Sequence, residues 1–250
     1  MPLIVDHANS KHVRTEDRTA NRGNKFSYFS FPDKKEMPHA TANSHVGTRV
    51  GRTHFHVNDQ FQVAMNGVFK IGRHRLTPYS IHFTRAFTPY GPLVGETDYT
   101  FMVMRAHRDP GPQYLPEKRG ELMSVPHRKP WQVSAHAEFP HESICDFASG
   151  VILSPVPQIR DDYGLAAYTL VLKKNATTYA PDPSFGDGQY LVVVEGGLWH
   201  EKNYFSAPTL IFVNPQEGAY QINAGDVGLK ALVLNFPMPG VSTLDRYVSI

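Results

Sequence analysis

Residues Gly51–Gly67 read GRTHFHVNDQFQVAMNG. In an extended chain successive side chains alternate between two faces. Arg52, His54 and His56 therefore share one face, and Thr53 and Phe55 the other. After the turn at 57–59 the alternation resumes. Gln60, Gln62 and Ala64 fall on one side, while Phe61, Val63 and Met65 form an apolar side suited to a core. Asn66-Gly67 ends the strand with a strong hairpin signal. Two imidazoles one pleat apart can both reach a single ion at ~2.0–2.2 Å. A lone HxH is a weak signal, and two histidines on a metal-free strand are its plain structural meaning.

The same alternation recurs along the chain. FQVAMNGVFKI, YSIHFTRAF, YTFMVMRA, LAAYTLVLKK, QYLVVVEGGLW, TLIFVNP and LKALVLNF are rich in β-branched and aromatic residues, and turn-forming clusters separate them. Short strands at such spacing predict an all-β sandwich or barrel. One helix is expected, over Leu115–Ser124, with Pro116 and Glu117 in its first turn.

The chain also repeats. The segment from Asp59, DQFQVAMNGVFKIGRHRLTPYSIHFT, aligns with the segment from Gly188, GQYLVVVEGGLWHEKNYFSAPTLIFVN. Gln60 matches Gln189, Val63 matches Val192 and Gly67 matches Gly196, all at an offset of 129. One residue later in register, Pro78 matches Pro208 and Tyr90 matches Tyr220. A shared spacing over such a length points to an internal duplication. The expected organisation is a flexible N-terminal arm over 1–25, a first β-lobe over 26–110, a connector with the short helix over 111–138, and a second lobe over 139–250.

Gly47, six residues, His54-Phe55-His56, three residues, Gln60, six residues and Gly67 resemble the first motif of the cupin superfamily, G-x5-HxH-x3,4-E-x6-G, with one extra residue and Gln in place of Glu. The resemblance implies double-stranded β-helix (jelly-roll) barrels, two cupin lobes in one chain with a short helix between them. It also implies one divalent transition metal, with Fe(II) favoured and Mn, Ni, Cu or Zn possible, held by His54, His56, Gln60 and a further ligand. The second cupin motif is degraded. Its histidine falls near Tyr90, while His82 lies eight residues earlier. His82 is the better ligand by chemistry and Tyr90 by position. Gln60 either ligates or orders a water. At the places of His54 and His56 the second lobe carries Pro183 and Phe185, so the metal motif belongs to the first lobe alone.

The function implied is a metal-dependent dioxygenase acting on a small, anionic, chelating organic substrate. Tyr90 would handle a proton and Arg52 would anchor a carboxylate. Two alternatives stand beside it: a lyase or isomerase using the metal as Lewis acid, and a non-catalytic small-ligand-binding or storage-type protein. Arg73, Arg75, Arg85 and Arg105 read as solvated strand residues, and Met102 and Met104 as core.

Composition limits the partners. The chain has 25 basic and 23 acidic residues, for a net charge of +2, so nothing singles out nucleic acid or an acidic membrane. No apolar run reaches the ~20 residues of a membrane span. A single cysteine, Cys145, excludes an internal disulfide. A cytoplasmic location and a homodimer are the expectations.

Overall fold

The computed structural model describes residues 1–16, 22–126, 128–140 and 150–241. Every strand pairing among them is antiparallel. The chain divides into two compact units, one built on Lys11–His136 and the other on Met1–Ser10 with Ala137–Met238.

In the Lys11–His136 unit a seven-stranded sheet runs in the order Gln132–His136, Ser80–Thr84, Gln60–Asn66, Tyr99–Arg105, His39–His45, Arg22–Phe29, Lys11–Glu16. A four-stranded sheet of Val50–Gly51, Leu93–Gly95, Phe69–Ile71 and His74–Leu76 faces it across a cavity. Phe69, Ile71 and Leu93 from this sheet join Phe101 and Val103 from the larger one in a single apolar cluster. Burying each such side chain contributes roughly 1.5–3 kcal/mol.

Register assigns the faces of the large sheet. Gln60 stands opposite Thr84, and Gln62 opposite His82 and Val103. Arg105 stands opposite His39, Val103 opposite Thr41 and Phe101 opposite Asn43. The cavity side of the sheet is therefore mixed, apolar at Phe101 and Val103 and polar at Gln60, His39, Thr41, Asn43 and Arg105. The reverse side carries Phe61, Val63, Ile81, Phe83, Met102 and Met104, all buried. The two methionines are core, as the alternation requires.

The second unit is an eight-stranded sheet. Its main path runs Leu3–Asp6, Thr209–Val213, Gln189–His200, Gln221–Asn235, Ala166–Leu172, Val151–Arg160. Its interior is filled by Leu170, Leu191, Val193, Leu198, Ile211 and Val233. Leu191 and Val193 stand at the positions matching Gln62 and Ala64. The two matched turn glycines play one role. Gly67 and Gly196 have φ of 71° and 72°, and a Cβ on either would lie 1.9 Å from Asp98 O or 2.0 Å from Gly228 O. Only glycine allows the neighbouring backbone so close at that φ.

Three expectations are corrected. The arm over 1–25 is not loose where it is described. Leu3–Asp6 pairs with Thr209–Val213, and Lys11–Glu16 pairs with Arg22–Phe29. The short apolar patch at Leu3–Val5 supplies the reason, since Ile4 packs against the core of the second unit. The connector is not merely a link, because Gln113–Tyr114 and Gln132–His136 pair with His54–Phe55 and Ser80–Thr84. The helix spans only Arg119–Ser124. Residues 115–118 form turns, with Lys118 N–H donating to Tyr114 O at 2.9 Å and Arg119 N–H to Pro116 O at 3.0 Å, while Leu115 N–H donates to Thr53 O. Cys145, His127 and His141 lie outside the described residues. No helix among those described is long and apolar enough to cross a membrane.

Candidate functional site

The site lies in the Lys11–His136 unit. The short strand His54–Phe55 is held on one side by Gln113–Tyr114 and on the other by an isolated bridge to Tyr90. Two backbone hydrogen bonds make that bridge, His54 N–H to Tyr90 O at 3.1 Å and Tyr90 N–H to His54 O at 2.9 Å. Phe55 turns outward into the core at 1 % exposure, so both imidazoles turn toward the cavity. Their rings lie 5.2 Å apart, nearly perpendicular.

Hydrogen-bond partners decide the protonation of each ring. His54 Nδ1 lies 2.7 Å from Arg52 O, and His56 Nδ1 lies 2.6 Å from Asp109 Oδ1. A carbonyl and a carboxylate can only accept, so each Nδ1 carries the proton. Each Nε2 therefore offers a lone pair inward. His54 Nε2 accepts from the Tyr90 hydroxyl at 2.9 Å. The Tyr90 oxygen accepts in turn from Gln60 Nε2 at 2.6 Å. Gln60 Oε1 accepts from Arg105 Nη2 at 2.7 Å, and the same nitrogen lies 3.2 Å from His56 Nε2. One directed chain of donors thus joins Arg105, Gln60, Tyr90 and His54, while His56 donates to Asp109 and has the Arg105 Nη2 against its ring, 3.3 Å from Nδ1.

Burial sets the charges. It lowers the pKa of His54, and it takes His56 down to about 4 with help from the Arg105 charge. It raises Tyr90 to about 12, so the phenol is neutral near pH 7. Asp109 is pushed up by burial, but the His56 hydrogen bond and the Arg105 charge outweigh this and leave it below the usual carboxylate range. The buried centre thus holds one cation, Arg105, and one anion, Asp109, whose closest ion-pair contact spans 3.9 Å.

The expected residues divide. His54, His56, Gln60 and Tyr90 converge. His82 approaches Tyr90, with ring centroids 6.2 Å apart, but its hydrogen bond goes elsewhere. It stands one rung further along the sheet, opposite Gln62 where Thr84 is opposite Gln60, and its Nδ1 pairs with Ser134 Oγ at 2.6 Å. Arg52 lies at the exposed rim. Its Nη2 donates to Leu115 O and to Glu117, and its guanidinium covers the Tyr114 ring. The cation in the barrel is Arg105, 6 % exposed, contrary to its reading as a solvated residue. Arg105 and Asp109 were missed because a strand arginine and a loop aspartate carry no local signal. Only the face parity of Arg105 with Phe101 and Val103 hinted at an inward side chain.

The cavity has a volume of ≈ 250 Å³. Lys25, Arg49, Arg52 and Arg105 line it together with His39, His45, His54 and His56. Among the described residues no carboxylate faces it. His39 Nδ1 is buried there without a hydrogen-bond partner.

The donor set does not fit a resident divalent ion as it is arranged. Among the described residues no three His, Cys, Asp or Glu side chains are placed to hold a metal. Asp109 is engaged behind His56, Gln60 and Tyr90 are neutral, and Arg105 already lies on His56 Nε2 and Gln60 Oε1. Two like unit charges ~4 Å apart repel by about 4 kcal/mol at an effective dielectric near 20, and a divalent ion doubles that.

No protein-family model matches the chain, and no curated protein matches it by sequence. Solved structures do match its fold. A provisionally assigned dioxygenase from Nostoc punctiforme aligns with a TM-score of 0.62 at 9% identity, over 100% of this chain and 87% of its own. A bacterial pirin from Escherichia coli, solved in complex with nickel(II), aligns with a TM-score of 0.60 at 12% identity, over 95% and 100%. An oxalate decarboxylase from Lactobacillus farciminis, solved as a formate complex, aligns with a TM-score of 0.60 at 11% identity, over 94% and 86%. The chain has the cupin jelly-roll fold, and at these identities the likeness carries the fold alone.

Proposed function

We propose that the barrel of the Lys11–His136 unit binds a small organic anion and that the chain acts on it by proton transfer. The observation that carries this reading is the cavity wall, with four basic side chains and no carboxylate among the described residues. Such a wall raises the local concentration of anions and rejects cations. The volume of ≈ 250 Å³ lies just below the ~300–1,000 Å³ typical of ligand pockets, which suits a small acid. The likeness in fold to an oxalate decarboxylase solved with formate agrees with a carboxylate occupant.

The chain's own residues supply a proton route. Tyr90 O–H stands against His54 Nε2, and Gln60 N–H holds the oxygen from the other side. His54, with its Nδ1 proton tied to Arg52 O, can take a proton at Nε2 from a ligand that displaces the Tyr90 hydroxyl, while the phenol itself stays protonated. Asp109 and Arg105 fix the orientation of His56 and Gln60 and keep the site closed in charge.

The test is a thermal-shift and calorimetric panel of small mono- and dicarboxylates against the corresponding amides and alcohols. An acid should stabilise the protein by about 2.7 kcal/mol at a hundred times its Kd. Stabilisation by the neutral analogues and not by the acids would sink the reading. Turnover that survives in Tyr90→Phe would remove Tyr90 from the proton route, and tight binding of acids with no turnover of any of them would reduce the site to binding only. The second reading is the Fe(II)-dependent dioxygenase of a small chelating anion. It rests on the two inward Nε2 atoms, and it requires Arg105 to leave His56 and the Tyr90 hydroxyl to leave His54 Nε2. Oxygen uptake by iron-loaded protein with catechols, diketones or thiols tests it.

A further inference from the structure

We infer that the Arg105 guanidinium stands where this barrel would otherwise hold a metal ion, and that it makes the site refuse divalent cations. The four positions at which the cupin pattern places ligands are His54, His56, Gln60 and Tyr90, and their polar atoms do meet. Tyr90 OH lies 2.9 Å from His54 Nε2 and 2.6 Å from Gln60 Nε2. The meeting point is already taken. Arg105 Nη2 binds Gln60 Oε1 at 2.7 Å, one of the atoms a metal would need, and packs against the His56 imidazole, 3.2 Å from Nε2 and 3.3 Å from Nδ1, so its charge sits beside a second.

The glutamine belongs to the same device. At position 60 an amide accepts from Arg105 with its oxygen and donates to Tyr90 with its nitrogen. A carboxylate could not donate, and it would add the negative charge that a divalent ion needs. With Gln60 and Arg105 in place, the buried charges are one guanidinium and one Asp109 carboxylate, and they offset each other. A divalent ion would leave the centre two charges positive. The tautomers agree, because each Nδ1 is backed by an acceptor and His54 Nε2 already accepts from the Tyr90 hydroxyl. This concerns the cation of the site and not its ligand, so it stands or falls apart from the anion reading.

The experiment is metal binding by full-length protein, with Ni²⁺ and Mn²⁺ alone as probes. Calorimetry and metal content after dialysis are the readouts. The unsubstituted protein should retain less than a tenth of an equivalent. The double substitution Gln60→Glu with Arg105→Ala should bind near one equivalent of Ni²⁺, at least 100-fold more tightly, and His54→Ala in that background should abolish it. Circular dichroism and a thermal melt verify that the variant is folded, and Arg105→Met with Gln60→Glu replaces it if the alanine variant is not. Near-stoichiometric metal retained by the unsubstituted protein overturns the inference, as does a folded double variant that gains no affinity. Failure of the anion panel with metal still refused would sink the proposed function and leave this inference in place.

Discussion

Tyr90 and His54 are joined twice, by paired backbone hydrogen bonds and by the phenolic hydroxyl 2.9 Å from the imidazole Nε2. The backbone bridge delivers Tyr90 to the imidazole, and the side-chain bond sets its proton. Tyr90→Phe keeps the ring and the bridge but strips a partner from both His54 Nε2 and Gln60 Nε2. Leaving a buried polar group unsatisfied costs about 1–3 kcal/mol. Urea unfolding should show a loss of that order, with the dependence on denaturant unchanged.

Asp109 and Glu117 offer a contrast between buried and exposed carboxylates. Asp109→Asn leaves Arg105 without its counter-charge in the barrel, and breaking such a buried pair costs roughly 3–5 kcal/mol. Glu117→Gln breaks an ion pair whose side chains are 53% and 60% exposed, and solvent screens it. Thermal melts should separate the first variant clearly from the unsubstituted protein and leave the second beside it. A smaller effect for Asp109→Asn than for Glu117→Gln would contradict the buried charge pair.

Stability should fall on mild acidification. Burial takes His39 to about 4, with Arg105 adding to it, and takes His82 to about 3, with His74 adding to it. Unfolded, both titrate near 6.5. Between these values the unfolded chain binds protons that the folded chain does not, so stability decreases as pH drops. The loss begins near pH 6.5 and deepens to about pH 4 for His39 and to about pH 3 for His82. Urea midpoints at pH 7.0, 5.5 and 4.5 should fall in that order, and His39→Gln should flatten the slope. A midpoint that does not change over this range would refute the buried neutral histidines.

Gly67→Ala and Gly196→Ala should both be severe. Left-handed backbone alone costs an ordinary residue about 1–2 kcal/mol. At both positions the new Cβ would also strike backbone of the adjoining strand. Gly47 has the same φ of 71° with nothing within 4 Å of its Cβ, so Gly47→Ala reports the strain alone. Melting temperatures should rank Gly47→Ala well above the other two.

The alternation over Gly51–Gly67 and its repeats determined a good deal by itself. A strand's period of two places side chains on faces without reference to any partner. That sufficed for an all-β chain, for Phe61 and Val63 in the core, for His54 and His56 on one side with Phe55 on the other, and for glycine at both matched turns. The helix was legible as a helix but not in length, because residues 115–118 form turns before it, with Arg119 N–H donating to Pro116 O.

Tertiary structure decided which groups meet. Whether His82 or Tyr90 reaches the paired imidazoles depends on register and on a returning loop. His82 is held one rung away by its place opposite Gln62, whereas Tyr90 is carried back by its bridge to His54. Arg52 faced the right way but found Glu117 at the rim, and Arg105 arrived from a strand 45 residues beyond Gln60. Face parity is a local property of the backbone, while the partner across a barrel is set by sheet register and chain crossing. The charge at the centre of the site, and the cation that supplies it, therefore became visible only in the folded chain.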